Sequence, residues 1–238
     1  MTEQPGPPGP PPGGSEGQPT PPPPPPAPPQ PPAGAPAQPP AVTGSTPPQP
    51  PYVATYDVAY EEEHNRWLPL VKWLLAIPHY IALFFLGIAA YVVLFIGFFA
   101  VLFTGEWPRG MFDFLVGVLR WASRVYAYVL FQTDEYPPFS LEDDPNYPVR
   151  VHVEYPEAGV ARWRPLVSWL LVIPYSICAF VIFFVAEICA FLAFFTILFT
   201  KKYPRGLFDV VTVGLRWLVR DNVYRFWMTE QYPPFVWA

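Results

Sequence analysis

The sequence predicts an all-α integral membrane protein built from a tandem duplicated unit. Each unit is expected to hold a short strand, a proline-kinked transmembrane helix and an amphipathic arginine-striped helix, and a disordered proline-rich N-terminal tail precedes the pair. Three observations carry this reading. Residues 66–141 and 162–237 align without a gap at an offset of 96, with 34 identities in 76 positions. Each copy holds an apolar run with one charge, Lys72 between Leu70 and Phe103 and Glu187 between Leu166 and Thr200. Of the 37 prolines, 24 fall in the first 51 residues. Apolar stretches of 18 or more residues read as membrane spans.

The tail, residues 1–50, is almost entirely Pro, Gly, Ala, Gln, Ser and Thr. Such a composition buries too little apolar surface to offset the entropy of ordering. The run Pro21–Pro26 favours an extended polyproline II spacer. There is no basic segment followed by an apolar one, so the tail does not read as a signal peptide. The formal net charge is −5, yet all 14 Lys and Arg lie between Arg66 and Arg225, beside the apolar runs. No separate basic module exists for nucleic acid, which excludes that partner.

Unit 1 is placed at 52–141 and unit 2 at 147–238. Unit 2 opens on Val149, Val151 and Val153 alternating with Arg150, His152 and Glu154. This period of two reads as a half-buried strand. The first copy, from Tyr52 to Tyr60, is weaker, and the two can pair outside the bilayer. Arg66-Trp67 and Arg162-Trp163 then read as interface anchors. From Leu70 to Phe103 a straight helix would measure roughly 51 Å against roughly 30 Å of hydrocarbon. Pro78 and Pro174 stand at matching places to break it. The expectation is a short interfacial helix, then spans over about 79–103 and 175–199. A helical hairpin near Gly87 is the alternative.

Pro-Arg-Gly at 108–110 and 204–206 begins a second helix in each copy. Arg109, Asp113, Arg120 and Arg124 fall within about 60° of arc, and Arg205, Asp209, Arg216 and Arg220 repeat the stripe. Either this helix lies among lipid phosphates, or it crosses the bilayer with the stripe facing a protein interior. One crossing per unit would invert the two copies, and two would keep them parallel. Lys and Arg flank the runs on both sides, so the positive-inside rule does not choose. Each unit closes on Tyr-Pro-Pro-Phe, at 136–139 and 232–235, which stops the helix.

Glu187 is the sharpest candidate for a functional site. It sits mid-span where the first copy has Tyr91, and would be protonated or paired with Arg216 or Arg220. No catalytic residues emerge: the sequence has no nucleophile elbow, HExxH or phosphate loop. The histidines are His64, His79 and His152, none with a partner at ligand spacing, so no metal or cofactor is expected. Glu61-Glu62-Glu63-His64 reads as a solvated acidic run. Cys178 and Cys189 lie about 16 Å apart along one helix and read as packing thiols.

The series LFT…PRG…FD…RW…YPPF, with IP(H/Y) after a W-L-L run, resembles the bacterial domain-of-unknown-function family 4389 in both units. The resemblance implies a small actinobacterial-type membrane protein and supplies no catalytic residues. The functional expectation is a non-enzymatic accessory or scaffold of envelope machinery in the bacterial plasma membrane, multi-pass, with the tail on the cytoplasmic side. Its partners would be the lipid bilayer with its anionic headgroups, and a second copy or larger membrane complex. The alternative is a small transporter or lipid-translocating subunit using a buried Glu187.

Overall fold

The computed structural model describes Gly9 and residues 52–237. The tail and its polyproline II expectation lie outside the described residues. The chain is mostly helical, in the order β1 (Ala54–Val58), α1 (Leu68–Leu75), α2 (Ile77–Thr104), α3 (Arg109–Val129), β2 (Val149–Val153), α4 (Arg164–Leu171), α5 (Ile173–Thr200) and α6 (Arg205–Arg225).

Prolines set the helix starts. Pro69, Pro78, Pro165 and Pro174 all occupy the first turn of α1, α2, α4 and α5. There the missing N–H would have had no intrahelical acceptor. Ala76 and Val172 are the single residues between the short and long helices. The long helices end on a left-handed residue, Gly105 (φ 80°) and Lys201 (φ 60°), whose N–H donates to Val101 O and Ile197 O. This closure suits glycine and strains lysine. α2 and α5 are each 28 residues, about 42 Å long, and are long and apolar enough to cross a membrane.

The two copies interlock. β1 and β2 pair antiparallel, Ala54 with Val153 and Tyr56 with Val151. Arg120, on copy 1's α3, donates to Val151 O of copy 2's strand. Arg216, on copy 2's α6, donates to Tyr56 O of copy 1's strand. Each strand therefore rests on the other copy's helix. The strands correspond at an offset of 95, Tyr52 with Tyr147 and Tyr60 with Tyr155, so one residue is gained between strand and helix. Ala54, Tyr56, Val149, Val151 and Val153 are buried, whereas Asp57, Arg150 and His152 face out.

Three layers result: sheet, then α3 with α6, then the long helices. On α6, Arg216 meets the sheet, while Gly214, some 200° around the helix, meets α5. A Cβ built on Gly214 would lie 2.6 Å from the Ala186 Cβ. The same division holds on α3, where Trp121 faces α2 through His79 and Arg120 faces β2. The long helices run in opposite directions. Val160 N donates to Gly105 O and His64 N to Lys201 O, at 2.7 and 2.8 Å, so each long helix ends where the other copy begins.

Candidate lipid-facing site

The arginine stripe divides along its length. Arg109 and Arg205, with Asp113 and Asp209, are exposed. Arg109 pairs with Glu157 at 2.6 Å and lies over Tyr155, while Arg205 pairs with Asp209 at 3.1 Å and lies over Tyr60. The inner arginines face inward. Arg120 also donates to Leu141 O at 2.9 Å, and Arg124, fully buried, donates to Glu142 O at 2.9 Å and lies over Tyr147. Arg220 is buried near the Tyr52 ring. For the inner four arginines the headgroup alternative gives way to the one in which the stripe faces a protein interior. Charged side chains this deep are retained by partners, and the inner four hold strands, loops and tyrosines.

Glu187 requires a correction. It is exposed on α5, not buried, and among the described residues it has no ion pair. It cannot meet Arg216, which faces the sheet on the side of α6 opposite α5. Its neighbours along the helix, Phe180, Phe184 and Phe191, are exposed as well.

A knot that the sequence reading passed over joins α1 to the loop after α3. The Lys72 side chain is 1 % exposed, and its Nζ donates to Thr133 O at 2.7 Å and Asp134 Oδ1 at 2.8 Å and stands over the Tyr128 ring. His64 and the Asn65 N–H complete the carboxylate's partners. Burial alone would raise the Asp134 pKa. The His64 hydrogen bond, the Lys72 charge and the Asn65 N–H outweigh it and hold the group well below the ordinary carboxylate range. Copy 2 solves the same problem from another position. Ser168 replaces Lys72, and Arg164 supplies the cation, 4.9 Å from the Tyr224 ring and donating to Glu230 O. The lone charge in the first apolar run was the available signal.

The aromatic motifs form one box per copy. His79 accepts from Trp121 Nε1 at 3.1 Å and stacks on Phe139 at 4.0 Å, beside Tyr136. In copy 2, Tyr175 stacks on Trp217 at 4.6 Å with Phe235 against its edge. Tyr-Pro-Pro-Phe thus folds over the start of the long helix. In copy 2 alone, Asp221 accepts from Ser176 at 2.5 Å and pairs with Arg225.

A cavity of about 380 Å³ opens between α2, α3 and α6, lined by Leu94, Leu115, Leu119, Tyr126, Leu218 and Met228 among others, with Ser123 and Asn222 as polar lining. It arises because the copies pack unequally. Where α6 has Gly214, α3 has Val118, and where α5 has Ala190, α2 has Leu94. The larger pair holds α2 away from α3. The volume and apolar lining fall in the range of ligand sites. Among the described residues no three side chains converge as metal ligands, and both cysteines are free.

A family model described as domain of unknown function (DUF4389) matches the chain twice, over residues 67–140 and 162–236. The chain belongs to the DUF4389 family. No curated protein and no solved structure matches it. Each DUF4389 match takes in the anchor tryptophan, the long helix, the striped helix and the Tyr-Pro-Pro-Phe loop, so the aromatic box closes within one match. Both strands lie outside the matched residues.

Proposed function

We propose that this DUF4389 protein is a non-enzymatic component of the bacterial plasma membrane, an accessory or scaffold for envelope machinery that holds lipid. The observation carrying this reading is the outer surface of α2 and α5. Phe84, Phe85, Phe95, Phe103, Phe180, Phe184, Phe191 and Phe199 are all more than half exposed, and Glu187 is the one Asp, Glu, Lys or Arg on either helix. A patch of this extent on a soluble monomer would drive association, whereas hydrocarbon accepts it. The cavity supplies room for one lipid tail next to Tyr126 and Asn222. A second copy or a larger membrane complex remains the expected partner class, with the tail on the cytoplasmic side.

The alternative, a small transporter or lipid-translocating subunit using a buried Glu187, would need an oligomer to enclose that carboxylate, because Glu187 faces outward from the single chain. The test is lipid retention. Leu94→Trp with Leu218→Trp fills the cavity. Purified in mild detergent, the wild-type chain is expected to carry bound phospholipid detectable by mass spectrometry, and the double variant to lose it while eluting as the same species. Equal lipid content in both sinks the cavity assignment.

A further inference from the structure

The antiparallel arrangement of the copies constrains how the molecule meets a bilayer. Two antiparallel strands are related by an axis normal to their plane, and here it passes between Tyr56 and Val151. The same axis relates Arg120 on Val151 O to Arg216 on Tyr56 O, and α2 to α5. Were the long helices to cross the bilayer in opposite directions, this axis would lie in the bilayer mid-plane. The outward side chains of the sheet, Asp57, Arg150 and His152, with Glu142 and Asp143 nearby, would then stand at mid-depth. Ionised groups in that place are heavily penalised unless a protein or water-filled interior covers them.

Turned so that the axis follows the membrane normal, the same molecule keeps the sheet's charges out of the hydrocarbon, and Glu187 alone among the Asp, Glu, Lys and Arg side chains of α2 and α5 stays at the depth of the helix layer. On α2, Ile77, Ile81, Phe84, Ile88, Val92, Phe95, Phe99 and Phe103 are exposed at spacings of three and four, while Leu94, Gly97 and Val101 are buried on the far side. α5 repeats the division, with Ala179, Ala186, Ala190 and Ala193 buried. Both exposed faces point away from α3 and α6, and so away from the sheet. Exposed indoles stand at the start of each copy's helices, Trp67 capping α1 and Trp73 within it, Trp163 capping α4 and Trp169 within it, a placement suited to headgroup depth. One helix layer is about 10 Å thick, which fits within half of a roughly 30 Å hydrocarbon core and matches the depth reached by interfacial helices.

We infer that the protein is seated in a single phospholipid leaflet, with α2 and α5 lying in the membrane plane and the charged sheet face in water on the same side. This rests on the membrane reading above and specifies its geometry. The test uses the full-length chain in a Cys178→Ala, Cys189→Ala background, carrying one cysteine at a time. The sites are Glu63→Cys before α1, Glu106→Cys after α2 and Arg150→Cys on the sheet. Each is probed with a membrane-impermeant maleimide in right-side-out and inside-out vesicles. All three sites are expected to react from one and the same side. Reaction of Glu63→Cys and Glu106→Cys from opposite sides means that α2 crosses, and overturns the one-leaflet seat while leaving membrane residence intact. A chain that floats free of the vesicles overturns the membrane reading itself.

Discussion

At Asp134 one carboxylate is shared by His64, Lys72 and the Asn65 N–H. The group ionises more readily in the folded chain than in the unfolded one, so its stabilisation is complete above about pH 4, the unfolded value. It is lost as pH falls below that toward the folded value. Asp134→Asn removes this dependence, and chemical denaturation in detergent between pH 6 and 3 should show a flatter stability profile than wild type. Asp134→Ala leaves Lys72 buried without its counter-charge. A loss of about 3 kcal/mol is expected, at the low end for a broken buried pair because Asp134 is partly exposed. Lys72→Ser with Leu68→Arg, which copies the arrangement at Ser168 and Arg164, should recover part of what Lys72→Ser alone loses.

Between elements, the closest approach is α5 on α6. Gly214→Val sets a side chain against the Ala186 Cβ and should cost about 1–3 kcal/mol, the range for overpacking, read as a lower unfolding midpoint. Val118→Gly, at the equivalent place in α3, meets the cavity in place of a tight wall. It should cost only about 0.5 kcal/mol through helix propensity, because valine is itself a poorer helix former than alanine. Equal penalties at the two positions would contradict the unequal packing of the copies. The arginine clasp is the second inter-element device. Arg120→Met keeps the stem and removes the donors to Val151 O and Leu141 O, and should loosen β2, measured as faster amide exchange in 149–153.

Across the whole molecule, interlocking makes the copies dependent on one another, because copy 1's strand is supported by Arg216 and copy 2's by Arg120. A chain ending at Ser140 would retain α3 but lose β2, and should be protease-sensitive in membranes. Co-expression of residues 1–144 with 145–238 should restore a resistant complex. Resistance of either half alone would show that the strand exchange is dispensable.

The duplication, the two apolar runs, the proline breaks and the family motif were legible in the residues, because periodicity and chain punctuation are local properties. The stripe was legible as a pattern, and its contacts were not. Four arginines on one arc look alike whether they meet phosphate or a carbonyl of a strand some 30 residues on in sequence, as Arg120 meets Val151. Likewise a lone glutamate in an apolar run carries no mark of which way it points, and Glu187 turned outward because Ala186 and Ala190 took the inward face. The sequence by itself determined that two similar amphiphilic units exist and where their helices break. Only the tertiary structure decided that they run antiparallel and exchange strands, because that choice rests on long-range pairing and packing between residues that no local pattern links.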